Sequence, residues 1–431
     1  PYRESVGICG GIIMGLQIIA LVTLTAAIVL GFVKKINVGI VSLGLSLALG
    51  LVGGVKANVI FAGFPGKLFI TLLGTMFLFC LLQENKTLEL LSKKMVALVG
   101  KHTYLIPILI YLSSFILSAA GPGAISVQSV MIIFAVSLSV QMNASPILMG
   151  GMAILGAVGG TASPIALTGI IVTDITAEMG YSGLAMPVFI GISAANLICA
   201  LVLYIVFKGY RLKSEVTVNR AGIPKFNKQQ KLGIAAIIIL IIIVVGLQYD
   251  VGLVSFALAL ILILCKSVNE KAAFKLIPWN VLILICGVNV LMAVTKDMGG
   301  IDLLSRILAS MMNQYTASPL IALTAGLMSW FSSANGVVFP TLIPTVADIA
   351  GNVGGTVTVL EMIMAIVGGA TVAGISPLST GGSLILASYT QETDATDKEQ
   401  QSLFARLFGV SFAAVVIVVV FALIGGFKLF C

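Results

Sequence analysis

The chain has 431 residues, of which 59% are hydrophobic and only 9% are charged, and its net charge is +8. Soluble proteins carry about 25% charged residues, so this composition excludes a soluble globular protein. It indicates helices in a lipid bilayer, where each backbone polar group must be paired within the protein. The single histidine and six scattered cysteines contain no C-x-x-C pair, so we expect no metal cluster and no nucleophile with its base. We therefore predict no catalytic residue, no cofactor, no enzyme activity and no nucleic-acid partner.

Apolar segments that are long enough to cross or enter a bilayer define the predicted elements. In chain order they are residues 12–33, 36–54, 68–83, 104–140, 144–173, 184–207, 231–248, 251–265, 281–295, 318–347, 357–390 and 403–425. Small polar residues and glycine interrupt 104–140 and 318–347, which predicts two re-entrant hairpins. A Ser-Pro pair interrupts 144–173 and 357–390, which predicts two broken helices. The predicted fold class is an all-α polytopic membrane protein with ten crossings and two hairpins.

Basic residues orient these elements in the membrane. With the N-terminus outside and each hairpin entering and leaving on one side, 18 of the 24 lysines and arginines lie in inside loops. This distribution follows the positive-inside rule. We expect a multi-pass protein of the bacterial inner membrane, in contact with lipid, with both termini outside.

The two halves of the chain align with each other. At a shift of 213, Thr87–Lys93 falls on Gly300–Arg306 and Ser163-Pro164 falls on Ser376-Pro377; at a shift of 215, Phe115–Gly121 falls on Trp330–Gly336. The predicted domains are inverted repeat 1 (1–209), a cytoplasmic basic linker (210–230) and inverted repeat 2 (231–431). Each repeat has five transmembrane helices, one of them broken, and a hairpin. Because five crossings is an odd number, the second repeat is upside down relative to the first.

Inverted repeats with paired broken helices are typical of secondary transporters with a site at the membrane midplane. The alternative, that small residues only permit close helix packing, does not account for four interruptions that match in pairs. Serine is a favoured N-cap and proline a favoured first helical residue, so Ser163-Pro164, Ser376-Pro377 and Gly121-Pro122 are predicted to start half-helices. Asn335 is predicted to cap the second arm of hairpin two. Such N-termini bind anions through backbone N–H groups.

The candidate site residues surround these interruptions. The expected substrate contacts are Ala120, Gly121, Gly123, Thr161, Ser163, Pro164, Asn335, Gly336, Ser376, Pro377, Ser379 and Thr380. The expected Na⁺ ligands, from hydroxyl, amide and free carbonyl oxygens, are Ser118, Ala120, Ala162, Ser333, Asn335 and Ile375. Ser126 and Thr341 are further candidate hydroxyls.

At these residues the chain resembles the ion transporter superfamily, which includes the divalent anion:sodium symporters. The N-terminal third, including Leu78–Gly100 and Ser118–Ser126, looks most like the MatC-type dicarboxylate (malonate) carriers. The resemblance implies an elevator-type homodimer, dicarboxylate substrates and commonly Na⁺. The family's Ser-Asn-Thr hairpin tips fall on Ala119-Ala120-Gly121 and Ala334-Asn335-Gly336. Only Asn335 matches, which leaves more of the substrate contact to backbone N–H groups.

The resulting hypothesis is a Na⁺-coupled carrier of malonate or a C4 dicarboxylate such as succinate, malate or fumarate. A cation/proton antiporter on the same scaffold is the main alternative, and an inorganic oxyanion exporter or channel is another. An antiporter needs an ionisable group at membrane depth. The one acid that does not fall clearly in water is Glu361, which we interpret as interfacial.

Overall fold

A computed structural model describes residues 2–96, 102–212, 223–247, 249–354, 357–393 and 395–431. Within these ranges the chain forms helices joined by turns, and no strand occurs. Eight of the described helical segments are long and apolar enough to cross a membrane. Residues 213–222 of the predicted linker lie outside the described residues.

The first half contains the helices α1 to α10. Their bounds are α1 Tyr2–Lys34, α2 Val38–Gly53, α3 Ala57–Ala62, α4 Gly66–Glu84, α5 Thr87–Val96, α6 Ile106–Ala119, α7 Gly123–Gln141, α8 Pro146–Gly160, α9 Leu167–Glu178 and α10 Ala185–Val206. Short 3-10 turns occupy Thr103–Leu105 and Gly209–Arg211. Hairpin one is α6 and α7, and broken helix one is α8 and α9.

The second half contains α11 to α21. Their bounds are α11 Lys228–Ile241, α12 Val251–Leu264, α13 Glu270–Leu276, α14 Trp279–Asp297, α15 Gly300–Ser310, α16 Ala317–Phe331, α17 Phe339–Leu342, α18 Val346–Val353, α19 Val359–Val372, α20 Thr380–Thr393 and α21 Asp397–Leu423. π-Helical turns occupy Ile242–Gly246 and Ala334–Val338, and 3-10 turns occupy Ile343–Thr345, Ala373–Ile375 and Gly426–Phe430. Hairpin two runs from α16 to α18, and broken helix two is α19 and α20.

Two features of these helices were not predicted. The short helices α3 and α13 precede α4 and α14, and their starts, Ala57 and Glu270, are related by the same shift of 213. The second arm of hairpin two is divided into short pieces, whereas α7 is continuous. Pro340 and Pro344 explain the division, because proline lacks the N–H donor and clashes with the preceding turn.

Glycine contacts show that the two halves are related by a pseudo-two-fold exchange. Gly39 of α2 packs on α14, where an added Cβ would lie 2.2 Å from the carbonyl oxygen of Ile283. Its repeat mate Gly252 of α12 packs on α4, where a Cβ would lie 2.3 Å from Thr71 Cα. Thus α2 of the first half packs against α14 of the second, and α12 of the second half packs against α4 of the first. In both contacts glycine lets the two backbones approach closely.

The hairpins open to opposite faces of the molecule. Ser129 and Ser137 of hairpin one border a cavity with Glu89 and Glu392, and we call this side the Glu89 face. Pro340 and Pro344 of hairpin two border a different cavity with Lys67 and Lys296, and we call that side the Lys67 face. The predicted fold class of two inverted repeats, each with a broken helix and a hairpin, is confirmed.

Loops that were predicted on one side of the membrane also meet each other. The side chain of Gln230 donates to the Asn85 carbonyl at 3.3 Å, and Asn37 donates to the Asn280 carbonyl at 2.8 Å. These four positions belong to loops assigned to the inside by their lysines and arginines. On the Lys67 face, Thr71 donates to Asp250 at 3.0 Å.

Candidate substrate site at the helix breaks

The first break, residues 161–166, separates α8 from α9. The N–H of Ser163 donates to the Gly160 carbonyl at 3.0 Å, and the N–H of Ala166 donates to the Ser163 carbonyl at 2.9 Å. The helix α9 begins only at Leu167, with Ala166 as its N-cap. The prediction that Ser163 caps this half-helix is therefore wrong. A residue before proline avoids the helical region, so Ser163-Pro164 forms a turn of its own first.

The second break repeats this arrangement at a shift of 213. The N–H of Ser376 donates to the Ala373 carbonyl and the N–H of Ser379 donates to the Ser376 carbonyl, both at 2.9 Å. The helix α20 begins at Thr380, so Ser376-Pro377 also precedes the helix instead of starting it. In both halves a glycine of the second arm, Gly169 or Gly382, packs on the carbonyl of the serine.

The hairpin arms follow a different register from the one predicted. The Ser118 hydroxyl donates to the Ala157 carbonyl at 2.7 Å, and the Ser329 hydroxyl donates to the Ala370 carbonyl at 2.7 Å. The two acceptors, Ala157 and Ala370, are 213 residues apart in the chain, but the two donors, Ser118 and Ser329, are 211 residues apart. The predicted shift of 215, which paired Ser118 with Ser333, is wrong for these arms. The two first arms begin at Ile106 and Ala317, which are also related by 211, so the whole arm keeps this register up to the extended residue Ser332 (φ −144°, ψ 174°).

Asn335 links hairpin two to broken helix one. Its Oδ1 accepts a hydrogen bond from the Thr168 hydroxyl at 2.8 Å. The cap of the second arm is Ser333, whose hydroxyl oxygen accepts from the Gly336 N–H at 3.1 Å, so the prediction of an Asn335 cap is wrong. Sequence reasoning missed Thr168, whose role depends on a contact across 167 residues of chain.

The tip of hairpin one lies on the first break. The helix α7 begins at Gly123, directly after Gly121-Pro122 as predicted. Gly121 and Gly123 have φ of +133° and +72°, conformations that only glycine adopts without strain. A Cβ on Gly123 would lie 2.9 Å from Leu167 Cβ and 3.4 Å from the Thr161 hydroxyl oxygen. The tip therefore needs glycine both for its turn and for its close approach to α9.

Two of the four helix starts satisfy their own backbone N–H groups. At α9 the Thr168 N–H donates to the Thr161 hydroxyl at 3.4 Å, and the Gly169 N–H donates to the Thr161 carbonyl at 3.0 Å. At hairpin two, Ser333 accepts from Gly336 through its side chain and from Val337 through its carbonyl. These two starts are the pair that Thr168 and Asn335 join.

The other two starts present free N–H groups. Among the described residues, the backbone N–H groups of Ala124 and Ile125 in α7, and of Thr380, Gly381 and Gly382 in α20, have no hydrogen-bond partner. The two helices pack against each other, and both run from the breaks to the Glu89 face. Unpaired N–H groups at parallel helix N-termini form a positive region that favours an anion.

Exposure differs among the predicted substrate residues. Thr380 is exposed, and Ala120, Pro164, Asn335 and Ser379 are half-buried. The buried ones are Gly121, Gly123, Thr161, Ser163, Gly336, Ser376 and Pro377. The breaks lie close together, because Gly374 is in contact range of Val158, near the end of α8. The α20 start is the most accessible of these elements.

The predicted cation ligands divide into free and engaged oxygens. The carbonyls of Ala162 and Ile375, repeat mates at a shift of 213, accept no hydrogen bond from the described residues. The hydroxyls of Ser118 and Ser333 are already bonded to the backbone, and Asn335 is bonded to Thr168. Ser126 is half-buried, and the buried hydroxyl of Thr341 lacks a partner. The carbonyls of the breaks are thus free acceptors, and the Ser118 hydroxyl, which donates its proton to Ala157, also keeps its oxygen lone pairs free.

A buried asparagine beside the first break was not predicted. Asn196 of α10 is fully buried, its Nδ2 donates to the Ile192 carbonyl at 2.9 Å, and its Oδ1 has no partner. Its Cβ is close to Gly159, just before the break. An asparagine within an apolar transmembrane helix is the sequence signal that could have revealed it.

Glu361 occupies the first turn of α19, where Thr358 caps its N–H. Its position at a helix end agrees with an interfacial residue, but its side chain is only 2% exposed. Oε1 accepts from the Ser318 hydroxyl at 2.6 Å, and Oε2 has no hydrogen-bond partner. The interfacial position of Glu361 stays a prediction, and the packing of α16 against α19 encloses its carboxylate.

Comparison with known proteins agrees with this architecture. Residues 14–161 match the family described as the dicarboxylate carrier protein MatC N-terminus, which confirms the predicted resemblance over this third of the chain. The transporter YdaH of Alcanivorax borkumensis is 15% identical over 89% of this chain and 96% of its own, with a TM-score of 0.54. MtrF of Neisseria gonorrhoeae, one of a class of antimetabolite efflux pumps, is 14% identical over 87% of this chain and 84% of its own, with a TM-score of 0.56. A comparison with curated proteins gives no match. The chain is a multi-pass membrane protein with a transporter fold.

Proposed function

We propose that this protein is a secondary active transporter of small dicarboxylates, malonate or a C4 acid such as succinate, malate or fumarate. The match of residues 14–161 to the dicarboxylate carrier family supports this substrate class. The proposal includes coupling to Na⁺, a homodimer in the bacterial inner membrane, and elevator-type alternating access in which hairpins and broken helices move together.

The observation that carries the proposal is the pair of free helix N-termini at α7 and α20. Residues 106–178 and 317–393, which form both hairpins and both broken helices, contain no lysine or arginine. A negative substrate in this region must therefore be bound by backbone N–H groups and hydroxyls. Each helix N-terminus contributes roughly half an elementary charge. Thr380 is exposed and its unpaired amide is the most accessible donor, whereas Gly381 and Gly382 behind it are buried.

Charge balance supports the cation. A dicarboxylate carries two negative charges, which two partial charges do not neutralise in a site of low dielectric. The unbonded carbonyls of Ala162 and Ile375 suit a hard cation such as Na⁺. Binding of the cation beside the anion would lower the electrostatic cost of moving both through the membrane.

The test is uptake of radiolabelled dicarboxylates into proteoliposomes, from malonate through the C4 acids to citrate, with and without an inward Na⁺ gradient. We expect saturable uptake of one short dicarboxylate that the gradient stimulates. Uptake that is absent for every dicarboxylate, in protein that is folded by circular dichroism, would contradict the proposal.

A backbone variant tests the α20 start directly. In Thr380→Pro the first helical N–H is removed at a position where proline is tolerated, and Thr380→Val removes only the hydroxyl. Loss of a hydrogen bond to a charged group costs about 1.5–3 kcal/mol, so we expect the Kd for the dicarboxylate to rise at least about tenfold in Thr380→Pro. The rise in Thr380→Val should be much smaller. Equal effects of the two substitutions would assign the contact to the side chain.

Exchange of a cation for protons is a second candidate function, favoured by the buried and half-paired carboxyl of Glu361. It predicts cation-driven proton flux in liposomes without any organic anion, abolished by Glu361→Gln and retained in Ser318→Ala. Absence of such flux would rule out the antiporter.

A further inference from the structure

A cavity of about 880 Å³ on the Lys67 face is lined by two groups of elements, which we call its walls. Lys67, at the start of α4, and Lys296, at the end of α14, lie on one wall. Asp174 and Glu178, on the last turns of α9, belong to the other wall together with hairpin two. The cavity is deep, since it extends to Asn289 in the middle of α14.

Lysines of one wall and acids of the other border the same cavity. Lys67 and Asp174 border both this cavity and an adjoining one of about 200 Å³. Lys67 is near enough to attract Asp174, and Glu178 experiences the like charge of Asp174, one helical turn away, before the attraction of Lys296. Neither lysine forms an ion pair with its acid. Within the described part of the chain, Lys93 and Glu89 are the one pair closer than 4.0 Å. Asp297 borders the cavity beside Lys296, on the lysine wall.

These four charges belong to one face only. At the shift of 213 that relates the breaks, the repeat mates of Lys67, Lys296, Asp174 and Glu178 are Asn280, Gln83, Ala387 and Gln391. If these charges served the packing that both halves share, charged residues would be expected at the equivalent positions of both halves. A cavity bordered by these two lysines and two acids is therefore a feature of the Lys67 face that is not repeated at the equivalent positions of the other half.

We propose that Lys67 with Asp174, and Lys296 with Glu178, form a two-pair electrostatic latch that closes this cavity when α9 moves toward α4 and α14. The inference rests on the proposed transport function, in which α9 moves with the broken helices. Attraction grows as the walls approach, because the distance falls and water with its high dielectric constant leaves. Pairs that remain partly hydrated are weak, so the latch holds the closed cavity and still reopens in each cycle.

Charge exchange tests the first pair. We expect Lys67→Asp and Asp174→Lys, made singly, each to lower the initial rate of dicarboxylate uptake about fivefold or more, because like charges then oppose closure. The double variant Lys67→Asp with Asp174→Lys should recover at least half of the original rate. Lys56→Asp, an exposed lysine of the same face that does not border the cavity, is the matched control and should transport normally. A double variant no better than the single ones overturns the latch.

Cross-linking separates failure of the latch from failure of the proposed function. In a cysteine-free background, Lys67→Cys with Asp174→Cys should form a disulfide on mild oxidation, and Asn280→Cys with Ala387→Cys should not. The disulfide should stop uptake, and reduction should restore it. If no disulfide forms while dicarboxylate uptake proceeds, the latch is refuted and the transport function stands. If the disulfide forms but the unmodified protein carries no dicarboxylate, the closing motion stands and the proposed substrate is wrong.

Discussion

The contact between Thr168 and Asn335 shows how one side-chain pair joins the two repeats. Thr168 is the second residue of α9, and Asn335 lies in the π-helical turn of hairpin two. Their hydrogen bond of 2.8 Å connects the first repeat to the second. Each also lies next to a self-capped helix start. The pair thus joins the two helix starts, at α9 and at hairpin two, whose backbone N–H groups already have hydrogen-bond partners.

We expect Thr168→Val and Asn335→Ala to be non-additive. Each removes one partner of the same bond, which is worth about 1 kcal/mol, so the double variant should be more stable than the sum of the single effects implies. Thermal unfolding in detergent measures the coupling, and proteoliposome uptake measures the function. Strict additivity would show that the bond does not form. An Asn335→Ala variant that binds and transports dicarboxylate normally would remove Asn335 from the site.

At the scale of the element, the breaks depend on a glycine that lies over a carbonyl. A Cβ on Gly169 would be 2.0 Å from the Ser163 carbonyl oxygen, and a Cβ on Gly382 would be 2.2 Å from that of Ser376. Both neighbours are backbone atoms, which do not rotate away as a side chain can. The Ser-Pro turns therefore specify the glycine six residues later in each broken helix.

Gly169→Ala and Gly382→Ala should each lower the free energy of unfolding by about 1–3 kcal/mol, the usual cost of overpacking. Gly409→Ala in α21 is the control, since an added Cβ there meets no atom within 4 Å. Its expected effect is neutral or stabilising, as alanine is the better helix former. The melting temperature of purified protein in one detergent compares the three variants. A Gly382→Ala protein as stable as the control would contradict the packing at the break.

At the scale of the molecule, the inverted relation of the halves places the two hairpins on opposite faces. Gln141, at the end of hairpin one, and Asp348, near the end of hairpin two, are both exposed. After replacement of the native cysteines, Gln141→Cys and Asp348→Cys should react with a membrane-impermeant thiol reagent from opposite sides. Right-side-out and inverted vesicles give the two sides. Labelling of both positions from the same side would contradict the inverted arrangement.

Periodicity, charge and internal alignment predicted most of the architecture. The ends of α2, α10, α12 and α14 lie within two residues of the ends of the predicted apolar segments. The reason is that transfer of a long apolar segment into lipid is favourable, whereas transfer of a charge is not. The shift of 213 located the Ser-Pro breaks, since repeated backbone geometry requires repeated residues. The shift of 215 failed for the hairpin arms, because the arms begin at Ile106 and Ala317, at a shift of 211 that the similar small residues of the two tips do not reveal.

The sequence by itself determined that this is a helical membrane protein of two inverted halves, since bilayer insertion and chain topology depend on local composition and on order along the chain. Only the tertiary structure decided which helix starts keep free amides, that Glu361 is enclosed, and that lysines and acids border one cavity. Those features depend on which groups meet across long stretches of chain. Hydrogen-bond satisfaction and electrostatic pairing are properties of distances in space, and a linear pattern does not contain them.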